Sequence, residues 1–377
     1  MALALFALLY DVLNLREGRS LSYWGSYLVL VFLAGFRYKV GGDTYNYMFM
    51  HELLPNLSEL FSTEVGFAKL QPLWLLFVAF AKSIGEDFYT FQILHAIVVN
   101  AIIFGFIKKN TNYRHSGVLL YYFSIYPFFN FEILRESLAV CIFLIAVPYY
   151  TNKNWWCYYL LVTIAFLFHY SAVFLYLLPF IRNVNFKGIS LLFIFAISTM
   201  LNPFIQTNTA SWNSTFIELL IGGYLEYSYT IFGLISIFIF NLLIPYFLFW
   251  FARNNCKINA DYVAVAAKWL PIAALIPFVY IFYRFFNYFA ILWILMACEV
   301  GHGVLKIVKA GTMRLVAALV LFTLALIFST TGYFKDTSHI LSSTRWYIRW
   351  QPYYSIFDPV TDPDRELMIE IERVNNL

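Results

Sequence analysis

Charge is too sparse in this chain to clothe a water-soluble particle. Only 12% of its 377 residues are charged, about half the density of a soluble domain. Apolar runs such as Leu315–Phe328 and Ile231–Phe251 hold no charged residue at all. Lipid is therefore the solvent, and in lipid every backbone N–H and C=O must be satisfied within the chain, which leaves helices or closed barrels. A barrel would show alternating segments of about ten residues, whereas these runs are continuous. The fold class is an all-α polytopic membrane protein.

Apolar segments fall at 1–14, 21–36, 66–84, 88–107, 116–130, 134–151, 155–168, 170–181, 188–205, 229–251, 261–281, 285–301 and 315–334. A perpendicular span needs about 20 residues, so some cross and others are short, giving roughly 10–13 transmembrane or re-entrant helices. No repeat and no soluble domain is visible. The division expected is a transmembrane part over 1–334, with outer loops at 37–65 and 206–228, and an outer-face tail over 335–377. The net charge of +4 is dispersed in short clusters. That is the pattern of positive-inside loops rather than of a nucleic-acid surface. Arg16/Arg19, Lys108/Lys109/Arg114, Lys153, Arg182/Lys187, Arg253/Lys257 and Lys306/Lys309/Arg314 mark the cytoplasmic side.

The N-terminus lacks a basic n-region, so its apolar run reads as a retained first helix and not a cleaved signal. One conflict arises at 66–84: if that segment and 88–107 both span, the Lys108 cluster lands outside. A re-entrant 66–84 removes the conflict, and an inverted first half is the alternative. A second short pair, 155–168 and 170–181, reads as a hairpin with His169 at its apex, because Lys153 and Arg182 belong on the same side. Non-helical backbone at that depth is tolerated where it lines a cavity.

The chemistry-bearing residues lie at the outer ends of spans, where ionisable groups are candidates for function. Arg37, Lys39, Gly41, Gly42 and Asp43 follow directly on a span. Backbone amides of a glycine turn beside Arg and Lys make a phosphate seat, and the plain alternative is a loop with interfacial anchors. Arg135 opens an apolar helix, where cation and helix dipole disagree. A structural ion pair with Glu132, three residues back, is its plain reading. Glu64 reads as a helix-start carboxylate, His169 as a hydrogen-bonded core residue and Arg284 as a snorkelling cation unless each serves the site. Arginine binds phosphate bidentately, and Asp43 or His169 can act as a base. Such a set suits transfer from a diphosphate leaving group without metal or cofactor. The isolated cysteines and histidines carry no metal-ligand spacing.

Arg37-Tyr38-Lys39-Val40-Gly41-Gly42-Asp43 with Tyr47, Glu64-x-Gly66-Phe67, Arg135 opening a helix, Phe168-His169-x-Ser171, Arg284-Phe-x-Asn287-Tyr288 and Pro352-Tyr353 together resemble the EpsG family. The likeness runs over roughly residues 21 to 357. It implies a Wzy-like exopolysaccharide, capsule or O-antigen polymerase with a GT-C-like fold in the bacterial cytoplasmic membrane, its site facing the periplasm or exterior. It also implies undecaprenyl-diphosphate-linked oligosaccharide as donor and acceptor, with a chain-length regulator and a flippase as candidate partners. On that reading Asp43, His169 and Arg135 are catalytic. Arg37, Lys39, Glu64, Arg284, Asn287, Tyr288 and Tyr353 hold substrate. Glu136 departs from the uncharged residue expected there, and the acidic extension Asp358–Leu377 receives no role. The rival readings are a flippase or transporter of lipid-linked glycans, an O-antigen ligase and a membrane O-acyltransferase.

Overall fold

The computed structural model describes residues 1–60, 71–184, 186–208, 229–256, 259–308, 311–313, 316–320, 323 and 346–375. The described residues are helical, without strands, and the protein is an all-α polytopic membrane protein. Among the described residues, four helices are long and apolar enough to cross a membrane: α5 (Phe88–Asn110), α7 (Leu134–Thr151), α10 (Ile231–Asn255) and α11 (Phe286–Ile307). Four shorter apolar helices, α1 (Ala2–Val12), α4 (Pro72–Ile84), α8 (Trp155–Phe168) and a stretch from Gly188, accompany them. The chain divides into two compact units. One holds Met1–Cys141, Leu167–His169 and Leu305–Leu377, the other Ile142–Phe166 and Tyr170–Val304.

In the first unit, α2 (Arg19–Gly35) lies antiparallel to α5. At one end the Tyr23 hydroxyl donates to the Phe104 carbonyl at 2.7 Å. At the other, Gly35 packs so tightly on α5 that a Cβ would come within 3.1 Å of Ile93 Cα. Asp87 caps α5 by accepting from Thr90 N at 2.7 Å, and Lys108 and Lys109 sit in its last turn, each charge matching the helix dipole. From Phe36 to Asp87 the chain thus leaves and returns to the same end of this pair.

That stretch contains α3 (Thr44–Leu53) and α4, whose 13 residues reach only about 20 Å. Both ends of α4 stay beside α3. The Trp74 ring lies 5.6 Å from that of Tyr47, and Lys82 Nζ donates to the Leu54 carbonyl at 2.6 Å. With 13 residues, α4 is shorter than the roughly 20 a perpendicular span needs. α6 (Arg114–Ser124) climbs back along the pair and passes into a π turn, Phe128–Glu132. Ile133 breaks the helix before α7 begins.

In the second unit, α8 and the 3-10 segment Tyr170–Leu177 run side by side. Tyr158 donates to the Leu175 carbonyl at 2.7 Å and Thr163 meets Tyr176 at 2.7 Å. Arg182 donates to the Thr151 carbonyl at 3.0 Å and stacks over Tyr150 and Trp155, so the hairpin closes at the level where it opened. α9 (Gly188–Asn208), α10, the short helices Ala260–Ala266, Trp269–Ala273 and Ile281–Arg284, and α11 complete the unit. α10 has only 11% of its span buried and exposes Phe232, Phe240, Phe247 and Trp250. Apolar side chains exposed in this way among the described residues suit a lipid surround.

Candidate functional site

The loop after α2 is shaped by two backbone positions that need a positive φ, Lys39 (φ 51) and Gly41 (φ 118). Arg37, the first cation of the loop, turns inward and is fully buried. Its Nε donates to the Val40 carbonyl at 2.9 Å, one Nη donates to the Ala34 carbonyl, and the guanidinium stacks 4.8 Å over Phe131. Its other Nη is buried without a hydrogen-bond partner. Burial lowers its pKa to about 10, with Tyr126 and Glu132 opposing the shift. Arg37 thus organises the loop from beneath.

The glycine turn offers an anion seat of the kind its sequence promised, and Glu132 fills it. Its carboxylate accepts from Gly42 N at 2.8 Å and Asp43 N at 3.0 Å, while Arg349 stands 3.9 Å away. The plain reading of Glu132 as the ion-pair partner of Arg135 does not hold. The π turn ends at Glu132 and Ile133 leaves helical geometry, so a three-residue spacing no longer places two side chains on one face.

Arg135, freed of that partner, keeps its charge available. Nη1 donates to Gln71 Oε1 at 3.1 Å, the guanidinium lies 6.0 Å from the Tyr47 ring centroid, and Nε is buried without a hydrogen-bond partner. Among the described residues no carboxylate pairs with it. Tyr47 adjoins both Arg135 and Asp43. Burial pushes its phenol up, Arg135 pulls it down and the Asp43 carboxylate adds to the rise. Asp43 itself occupies the residue before α3, half-buried, and its side chain makes no capping hydrogen bond to that helix.

Residues beyond 345 bind this loop along its length. Tyr38 N donates to the Tyr354 carbonyl at 2.8 Å, Gly41 N to the Arg349 carbonyl at 2.8 Å, and Ile356 N to the Phe36 carbonyl at 2.9 Å. Tyr353 donates to the Leu33 carbonyl at 3.1 Å, so its hydroxyl docks the tail on α2. The extension left without a role forms α12 (Pro363–Asn375), and two of its side chains close on the loop. Arg365, buried, donates to the carbonyls of Ile348 at 2.8 Å, Lys39 at 3.2 Å and Pro352. Glu366 accepts from Lys39 Nζ at 3.0 Å and from the Tyr45 hydroxyl at 3.0 Å.

Two further residues were missed because each is a single polar position on an apolar helix. Gln92 Nε2 donates to the carbonyls of Gly35 and Arg37 at 2.8 and 2.9 Å. His95 Nε2 lies 3.0 Å from both the Leu134 carbonyl and Ser137 Oγ. From one face of α5 they hold the Arg37 loop and the first turn of α7.

In the second unit, Tyr288 is fully buried and its hydroxyl meets Ser171 Oγ at 2.8 Å. This joins the motif that follows His169 to the one that contains Arg284 and Asn287. Arg284 ends a one-turn helix and Asn287 lies in the first turn of α11, both half-buried. His169, half-buried, follows the last residue of α8 and is grouped with the first unit. Glu64, most of the 206–228 loop and most of 315–334 lie outside the described residues.

Neither a curated protein nor a solved structure matches the chain. The EpsG family profile matches residues 21–358, a span that runs from α2 through the loop, α3 to α7 and α11 to the strap 346–358, and stops before α12. The chain belongs to the EpsG family.

Proposed function

We propose that the protein is a membrane glycosyltransferase that polymerises undecaprenyl-diphosphate-linked oligosaccharide repeat units on the outer face of the cytoplasmic membrane. Membership of the EpsG family points to an exopolysaccharide polymerase, and the observation that carries the finer reading is Arg135. Its guanidinium opens α7, where the helix dipole opposes a cation, and it has no carboxylate partner among the described residues. A diphosphate placed there relieves both and takes the planar fork of donors.

In the reaction, Arg135 steadies the charge that develops on the departing lipid diphosphate, where preorganised charge matters most. Asp43, which shares Tyr47 with Arg135, takes the proton of the attacking acceptor hydroxyl. Arg37 supports the loop without reaching the substrate, Lys39 and Tyr353 border the acceptor, and Glu64, Arg284, Asn287 and Tyr288 serve substrate binding. His169 positions the acceptor. The alternative base assignment exchanges the roles of His169 and Asp43.

The test uses the purified protein in nanodiscs with a polyprenyl-diphosphate-linked repeat unit. The expected product is a ladder of multiples, absent with Arg135→Ala. Translocated or acylated single units without a ladder would replace this reading by a transporter or an acyltransferase.

A further inference from the structure

Glu132 is a buried carboxylate engaged from two sides at the loop, and neither the reaction above nor the sequence motifs use it. Its side chain is 6% exposed and that of Arg349 12%. It accepts two consecutive amides, Gly42 N and Asp43 N, one with each oxygen. The fit leaves no room for a side chain at position 42. A Cβ there would come 2.5 Å from Arg349 Nη1 and 2.8 Å from Glu132 Oε2. Three segments far apart in sequence therefore meet over one peptide unit: the π turn before α7, the strap after 345 and the loop after α2. A buried carboxylate is expensive to desolvate, and a site that merely needed a capped helix start could use an uncharged acceptor.

We propose that Glu132, itself held by Arg349, is the positioning residue for Asp43. It clamps the Asp43 peptide so that the side chain is presented to the acceptor hydroxyl from a fixed backbone. The inference rests on the polymerase reading given above. A base must be held within hydrogen-bond reach of the proton it takes, and a small misplacement of a reacting group is costly in rate. Among the described residues, the charged and titratable groups around this peptide include Asp43 on the loop, Arg37 beneath it, Arg349 on the strap, and Arg135 with Tyr47 on the far side of Asp43. Burial raises the Glu132 pKa; Arg349 opposes that and Asp43 adds to it.

The experiment measures ladder formation against pH for wild type, Glu132→Gln and Arg349→Gln in nanodiscs, with membrane yield and unfolding temperature recorded for each. Glu132→Gln faces an amide N–H with its own NH2 group and loses the clamp. Its kcat falls roughly tenfold or more, with KM for the lipid-linked unit within about twofold. Removing a negative charge beside Asp43 lowers that carboxyl's pKa, so the acid limb moves to lower pH. Removing the Arg349 cation moves the acid limb to higher pH, each shift being about one pH unit. A merely structural pair lowers yield and unfolding temperature but leaves both acid limbs where wild type has them, and that result overturns the inference. Should one variant fail to fold, the direction of the other's limb decides. No ladder from wild type itself overturns the polymerase reading and this inference with it. A wild-type ladder with unmoved limbs in the variants overturns this inference alone.

Discussion

Arg365 Nη1 donates to the carbonyl of Lys39 at 3.2 Å, and the adjacent Glu366 holds the ammonium of the same lysine at 3.0 Å. Two neighbouring residues of α12 thus take the backbone and the side chain of one loop position whose φ is positive. The two contacts differ in weight. Arg365 is 1% exposed and serves three carbonyls, whereas the Lys39 and Glu366 side chains are 24% and 38% exposed.

Arg365→Ala removes three hydrogen bonds to part-buried carbonyls, each worth about 0.5–1.5 kcal/mol net. It should lower the unfolding temperature in detergent sharply and abolish polymer. Arg365→Lys keeps charge without the fork and should fall between the two. An Arg365→Ala protein with wild-type melting would show that α12 does not secure the loop.

Glu366→Gln should cost less than about 1 kcal/mol, as exposed pairs do. Slight burial raises the Glu366 pKa, but hydrogen bonds from Lys39 and Tyr45 outweigh it and leave the group below its ordinary 4.5. A depressed carboxyl contributes stability above its unfolded pKa and loses it as pH falls through the folded value. The difference in melting between wild type and Glu366→Gln should therefore be present at neutral pH and be lost in acid, as pH falls through the lowered folded value. Melting curves at several pH values check this, and a difference that persists in acid counts against the pairing.

Gln71→Glu places a carboxylate where an amide oxygen now stands 3.1 Å from Arg135 Nη1. The variant should fold at least as well as wild type, because it neutralises a cation at a helix start. KM for the lipid-linked unit should rise roughly tenfold or more, as one charge-assisted contact is forfeited. Unchanged KM would remove Arg135 from diphosphate binding.

Gly42→Ala should eliminate polymer, since its Cβ meets Arg349 and Glu132 below 3 Å. Gly105→Ala on α5, where nothing lies within 4 Å, should be neutral or raise stability by roughly 0.5–1 kcal/mol through helix propensity. Activity of the two variants side by side provides the comparison.

Much of the architecture was legible because hydropathy and dispersed basic residues record it directly. The apolar helices and the pairing of 155–168 with 170–181 both followed from those signals. The site was legible in its pieces and not in its pairings. Glu132 was matched with Arg135 because three residues separate them, and a π turn followed by a broken helix at Ile133 cancels that spacing. Arg365 sits in Asp362-Pro363-Asp364-Arg365-Glu366, which reads as a solvated helix start, and only Met368 and Ile369, both buried, hint that one face of α12 is docked. Gln92 and His95 are polar residues within an apolar helix. Nothing local says that their partners are carbonyls of the Arg37 loop and of α7.

Lys39 and Glu366 stand 327 positions apart. At roughly 5–20 residues per second of synthesis, the loop after α2 exists for a quarter of a minute to a minute before α12 is made. Glu132 reaches the loop early, but the strap and helix that close over it arrive only after the intervening hydrophobic segments have been inserted. Contacts of such long range form late in folding. The order of translation therefore acts as a timer: a nascent chain carries an open, unlatched loop, and the latch is fitted only when the membrane part is already in place.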